Sequence, residues 1–229
     1  MVAIHVFIIL LLKGAKTVEI VNPKVELINP PSYEDVLDTF NHAARNCYKS
    51  LNEKTDNKES AEKLARRLIS IGHGSPIEMN NITVKFVQDR AFLSQLSRHR
   101  LLSLAVESMR YCNYSLDKFN NSVNFIVPAG MTSEGYESWR ASCLVSESAY
   151  FDLIDKGLKP EIARSVLPMC TATSIIASGN IREWRHVLDL RCDSHAQTDI
   201  RNACKELLNM LYSKYEVFFE DLYKKYNQD

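Results

Sequence analysis

Gln95-Leu96-Ser97-Arg98-His99-Arg100-Leu101-Leu102-Ser103-Leu104-Ala105-Val106-Glu107-Ser108-Met109-Arg110-Tyr111 is the stretch around which the chain is organised. Three basic side chains stand in a row, and Glu107, Ser108, Arg110 and Tyr111 follow closely. A fold does not gather such groups for packing. Arginine offers a planar fork that matches phosphate oxygens, and histidine donates or accepts near neutral pH, so the run outlines an anion site. The same run would also suit a solvated helix end, where positive charge complements the helix dipole. On these residues alone both readings stand.

Immediately upstream, Asp89 reads as the cap of a helix carrying Phe92, Leu93 and Leu96, with the arginines at its end. Before it, Ile82, Val84 and Phe86 alternate with Thr83 and Lys85, the period of a half-buried strand. His73-Gly74-Ser75-Pro76-Ile77-Glu78 forms a loop after a helix from Glu59 to Ile71, which Gly72 stops. Further back, Ser32 and Asp35 open a helix with Val36, Phe40, Ala43, Ala44 and Cys47 at helical spacing, ending near Tyr48-Lys49-Ser50. Val18 to Ile28, interrupted by Pro23, reads as an edge strand or two short ones.

Downstream, Val123 to Val127 is expected to be a core strand and Thr132 to Asp155 a long helix. Pro160 starts a short helix running to Arg164, and Ala172 to Ser178 reads as a strand. Asn180 caps a helix that places Arg182 and His186 one turn apart on one side and ends at Arg191. Ser194 and Gln197 look like a second capping box. Ile200, Ala203, Leu207 and Leu211 then give the last long helix its buried stripe. The mixture indicates an α+β fold, a mixed helix/sheet single domain, with no P-loop and no Rossmann glycine motif. A nucleotide would therefore be held by side chains.

Across 229 residues, Lys+Arg and Asp+Glu are both 28, so the formal charge is zero. A protein that holds long nucleic acid is normally basic, so phosphate chemistry here is expected to be local and directed at small molecules. Six scattered cysteines show neither CxxC pairing nor ligand spacing, which points away from zinc and toward reduced cytoplasmic thiols. Residues 1-17 form an apolar leader of uncertain status. Its run from Val2 to Leu12 is shorter than the roughly 20 residues a bilayer requires, so a membrane anchor is not expected. Residues 18-229 form the folded domain.

Polar groups thus cluster at Ser50, at His73/Ser75/Glu78, from Gln95 to Arg110, and at Arg164 with Asn180/Arg182/His186/Arg191/His195. Each alone has a structural explanation as a turn, a cap or a solvated face. Together they follow one order. Arg98-His99-Arg100, seven residues, then Ser108 resembles the signature of the flavin-dependent thymidylate synthases, the ThyX family. Ala43-Ala44-Arg45-Asn46-Cys47-Tyr48-Lys49-Ser50, His73-x-Ser75-x-x-Glu78, Ala163-Arg164-Ser165-Val166-Leu167-Pro168, Asn180-x-Arg182 and Leu190-Arg191-x-Asp193-Ser194-His195-Ala196-Gln197 are similar to that family in the same order. The likeness runs from about Val18 to Leu211.

The resemblance implies methylation of dUMP to dTMP, with methylene-tetrahydrofolate as carbon donor and NADPH reducing a bound FAD. It also implies an α+β homotetramer whose FAD sites draw on several subunits. On the same ground, Gln95, Arg98, Glu107, Ser108, Arg110, Arg164 and Arg191 are expected to bind dUMP, with Arg191 the catalytic group that polarises the uracil carbonyl. Ser50, His73, Ser75, Glu78, Arg98, His99, Arg100, Asn180, Arg182, His186, Leu190 and His195 are expected to contact FAD. Two positions depart from the pattern. Ala105 stands where the family usually has Asn, and Met79 where His or an aromatic is common. The competing reading is a noncatalytic protein whose arginines hold a nucleotide or nucleic acid.

No base has an assured place beside Ser108, so a binding role is expected there. Cys170 follows Leu167-Pro168-Met169, but nothing else matches the thymidylate synthases that use a cysteine nucleophile. Cys170→Ala is expected to keep dTMP formation. Complete loss of turnover with normal folding and flavin content would contradict this.

Overall fold

A computed structural model describes residues 18–54 and 57–227, so the apolar leader lies outside the described residues. The chain divides into two compact units. Among the described residues the first comprises 18–22, 89–91 and 107–173, and the second 23–54, 57–88, 92–106 and 174–227.

The second unit is built on a four-stranded sheet in the order β2-β3-β6-β4. Its strands are β2 (Lys24–Ile28), β3 (Asn81–Asp89), β4 (Ser103–Val106) and β6 (Ala172–Asn180). β2 pairs antiparallel with β3, Val25 facing Phe86, and lies at the edge, as Pro23 at its entry suggests. In β3 the expected alternation holds: Ile82, Val84 and Phe86 are fully buried. The strand continues through Asp89, and α3 (Arg90–Leu96) follows directly, so Asp89 both ends the strand and stands at the position expected of the helix cap. β4 arises from the arginine-bearing stretch itself and pairs antiparallel with β6, Ser103 facing Ser178.

Among the described residues, five further helices complete this unit: α1 (Tyr33–Cys47), α2 (Lys58–Ser70), α6 (Ile181–Arg191), α7 (Thr198–Lys214) and α8 (Glu216–Asn227). Ser32 caps α1 by accepting the Asp35 amide, and Asn180 caps α6 by accepting the Glu183 amide at 2.8 Å, each cap worth about 1 kcal/mol. Fully buried Trp184 anchors α6 to the sheet, its Nε1–H donating to the Ile82 carbonyl at 2.9 Å. The final helical region breaks at Tyr215, whose hydroxyl donates to the Pro31 carbonyl. α8 then buries Phe218, Phe219 and Leu222, and Arg185 of α6 grips Asp221 through two hydrogen bonds of 2.7 and 2.6 Å. The expected Ser194/Gln197 capping box does not form. α7 starts at Thr198, and the Ser194 carbonyl instead accepts Arg201 Nη1 at 2.7 Å.

In the first unit, β1 (Glu19–Ile20) runs parallel to β5 (Asn124–Phe125), beside α4 (Ser133–Asp155) and the single turn α5 (Pro160–Ala163). The expected strand over Val123 to Val127 is paired only at its centre, because its partner offers two residues and Pro128 follows. Ile126 N–H instead donates to the Cys170 carbonyl at 2.9 Å. Val123, Phe125, Cys143, Tyr150 and Ala163 form the core of this unit.

Candidate active site

The second unit contains every residue expected to contact flavin, and contacts draw some of them into two clusters. In one, the 3₁₀ turn Ser75–Glu78 packs against α1 and α6. Glu78 Oε1 accepts Arg182 Nη1 at 2.5 Å. An added Cβ on Gly74 would stand 2.8 Å from Arg182 Nε, so glycine is what lets the guanidinium lie against this backbone. His73 Nδ1 lies 2.5 Å from the Tyr48 hydroxyl, and the two rings stack with centroids 5.9 Å apart. The loop expected at 73–78 is thus a braced turn joined to α6 and to the end of α1.

The other cluster is built on the turn after α3. His99 N–H donates to the Leu96 carbonyl and Leu102 N–H to the His99 carbonyl, so the chain curls tightly between α3 and β4. Leu102 seats this turn against β6, where an added Cβ on Gly179 would come within 2.5 Å of Leu102 Cδ2. His99 is therefore buried, at 5% exposure. Its Nε2 accepts Arg191 Nε–H at 3.0 Å, which places the imidazole proton on Nδ1. Arg191 Nη2 also donates to the Gln95 carbonyl at 3.1 Å. The guanidinium is fixed by two acceptors, and Nη1 makes no hydrogen bond among the described residues. The ring of His186, one turn before Leu190, meets His99 edge-on at 5.8 Å.

Burial, then the charges of Arg191 and His186, push His99 down from 6.5 to about 4, so it stays a neutral acceptor at physiological pH. Arg98 and Arg100 flank it on the exposed side of the turn. Gln95 Nε2 donates to Gln197 Oε1 at 2.7 Å. His195 is 95% exposed and lies on Asp193, whose Oδ1 is 2.7 Å from its Nδ1 and also accepts its amide. Ser50 closes the end of α1 through its amide to the Arg45 carbonyl, and Leu190 is exposed.

The first unit holds Glu107, Ser108, Arg110 and Arg164. Ser108 heads a turn in which its carbonyl accepts the amides of Tyr111 and Cys112 and its Oγ accepts the Arg110 amide at 3.3 Å. Among the described residues, none of its hydrogen bonds reaches a histidine or a carboxylate. Arg110 Nε pairs with Glu161 at 3.5 Å, and its guanidinium lies over the Tyr111 ring, 5.4 Å from the centroid. Arg164 is exposed at the start of the 3₁₀ turn Arg164–Val166. Glu107 Oε1 accepts the Tyr114 hydroxyl at 2.6 Å.

Tyr48 and Tyr114 were not singled out from the sequence for their side chains, and Gln197 was singled out only for a helix cap. Tyr48 and Gln197 lie inside matched runs, whereas nothing in the sequence marks Tyr114. Cys170 lies 3.6 Å from Cys143 Sγ, a thiol pair in the first unit's core. Among the described residues no group of His, Cys, Asp and Glu is arranged to hold a metal ion, and no helix is long and apolar enough to cross a membrane.

The family described as "Thymidylate synthase complementing protein" matches residues 32–215. A flavin-dependent thymidylate synthase of Geobacter sulfurreducens is 33% identical over 184 residues, covering 78% of each chain. Another, from Mycolicibacterium gilvum, is 28% identical over 222 residues, covering 86% of each. Among solved structures, the UMP/dUMP methylase PolB from Streptomyces cacaoi, bound with 5-Br dUMP, superposes with a TM-score of 0.76 at 26% identity, over 89% of this chain and 96% of that one. Fold and relatives make the protein an α+β enzyme of the methyl-transferring kind. The chain belongs to the flavin-dependent thymidylate synthase family.

Because folding depresses the His99 pKa from 6.5 to about 4, the unfolded chain binds more protons between those values, and stability falls as pH drops through that window. His99→Gln, which keeps an acceptor without the titration, is expected to flatten the acid limb of a Tm-versus-pH curve. An unchanged acid limb would show that His99 is not a buried neutral imidazole.

Proposed function

We propose that the protein methylates C5 of dUMP to give dTMP, with methylene-tetrahydrofolate as carbon donor and NADPH as reductant through bound FAD, and without a cysteine nucleophile. The folate methylene carbon and a hydride make the methyl group. The proton lost from C5 and one from solvent balance the two nitrogens freed on folate, which leaves as tetrahydrofolate while NADPH becomes NADP⁺.

The observation that carries this reading is the fixed guanidinium of Arg191. It is half-buried, held by His99 and the Gln95 carbonyl, and retains N–H donors for a ligand. A donor placed before reaction loses no energy to reorganisation when negative charge develops on a uracil carbonyl. Gln95, Arg98, Ser108, Arg110, Arg164 and Arg191 are assigned to dUMP. Arginines suit its phosphate, and the amide and hydroxyl suit its base and sugar.

The donor set of the second unit fits FAD. Arg98, Arg100 and Arg182 match a pyrophosphate, and exposed His73, His186 and His195 offer flat polar rings. Gly74 lets Arg182 lie close along the backbone. Ser50, Ser75, Glu78, His99, Asn180 and Leu190 complete the assignment, Asn180 offering its amide NH₂ while its Oδ1 caps α6. FAD supplies the two-electron carrier that no protein side chain provides. A homotetramer with flavin sites shared between subunits belongs to the same reading, as does a cytoplasmic location consistent with six free thiols.

Purified protein is expected to show a flavin spectrum on addition of FAD and to form dTMP from dUMP, methylene-tetrahydrofolate and NADPH. Arg191→Ala should keep flavin and lower kcat on the order of 10²- to 10³-fold. Absence of flavin binding in the parent protein would favour a noncatalytic nucleotide-binding protein, and full activity in Arg191→Ala would remove Arg191 from the mechanism.

A further inference from the structure

We infer that Glu107, Tyr114 and Arg90 form a positioning clamp for the Ser108-x-Arg110 segment, and that Glu107 serves the nucleotide site through this clamp and not by touching the ligand. The inference rests on the assignment of Ser108 and Arg110 to dUMP made above.

Glu107 is gripped at two points. Its side-chain Oε1 accepts the Tyr114 hydroxyl at 2.6 Å, and its backbone carbonyl accepts Arg90 Nη2 at 3.1 Å. Both partners are themselves fixed. Tyr114 is 6% exposed, and its ring meets Phe119 edge-on at 5.5 Å and Tyr150 at 5.8 Å. Its amide donates to the Tyr150 hydroxyl at 3.2 Å, and Tyr150 is fully buried. Arg90 is held through its own amide, which donates to the Met169 carbonyl at 3.0 Å. Its Nε is buried and makes no hydrogen bond among the described residues, so the side chain is committed inward along its length.

The consequence falls on the next three residues. A residue held at both its main chain and its side chain fixes the direction in which the backbone leaves it. Beyond Glu107 the chain enters the turn in which Ser108 accepts the amides of Arg110, Tyr111 and Cys112. Ser108 and Arg110 are therefore presented from a frame anchored in the aromatic core of this unit. Burial and the Glu107 carboxylate both hold the Tyr114 phenol well above its ordinary pKa, so it stays a donor throughout the working pH range.

The test compares Tyr114→Phe, Glu107→Gln, Glu107→Leu and the double variant Tyr114→Phe/Glu107→Leu, measuring dUMP affinity, KM and kcat, FAD affinity and Tm on the flavin-loaded protein. Glutamine keeps an oxygen that accepts from Tyr114, whereas phenylalanine removes the donor. Tyr114→Phe and Glu107→Leu are each expected to raise KM for dUMP by about tenfold with FAD affinity unchanged. The double variant should be no worse than either single change, and Glu107→Gln should lie near the parent protein. A dUMP affinity unchanged in Tyr114→Phe, or Glu107→Gln as impaired as Glu107→Leu, overturns the clamp and returns Glu107 to direct ligand contact. Failure of the parent protein itself to bind dUMP is the separate result that overturns the nucleotide assignment, and the clamp's role with it.

Discussion

A guanidinium held by a neutral imidazole is the constraint on which the rest of the site depends. Arg191 needs an acceptor that does not itself become positive, and His99 meets that need only because it is buried. Burial in turn requires the tight turn between α3 and β4. That turn requires Leu102 to lie against β6 at Gly179, where no side chain intervenes. β6 leads directly into α6 through the Asn180 cap, and α6 carries Arg191 at its other end. The hydrogen bond thus closes a loop of structure: each element that places His99 is tied to the element that places Arg191.

The fixed positive charge and its neutral neighbour also explain why three basic residues can follow one another. Arg98 and Arg100 project from the exposed side of the turn and keep their charge in water, whereas His99 gives up protonation to pack. The triplet is therefore not one cationic patch. It consists of two solvated arginines around a buried acceptor, and the alternation follows from the geometry of a turn whose middle residue points inward. The same economy is seen at Glu78 and Arg182, where opposite charges pair across a backbone that glycine leaves bare.

Much of this was legible in the sequence, and the unread parts have physical causes. The alternation of Ile82, Val84 and Phe86, the Ser32 and Asn180 caps and the stripe of α7 are local patterns, so they could be read directly. β4 could not be read this way: a four-residue strand is specified by its partner β6 more than by its own residues, and its charged neighbours obscured it. The break at Tyr215 was hidden because helical spacing continues through it, and the hydrogen bond that holds Tyr215 reaches Pro31, far away in sequence. The motif residues were likewise visible as a set, but their division of labour was not. Glu107 stands in the sequence as a ligand-binding carboxylate, and no spacing rule marks Tyr114, whose hydroxyl donates to it.

The most direct measurement of the central claim is ¹⁵N NMR of His99 in the folded protein at neutral pH. A neutral ring protonated at Nδ1, with Nε2 unprotonated and coupled to the Arg191 Nε–H, is the expected state. An imidazolium, or a proton found on Nε2, would contradict the account, because neither leaves an acceptor for Arg191.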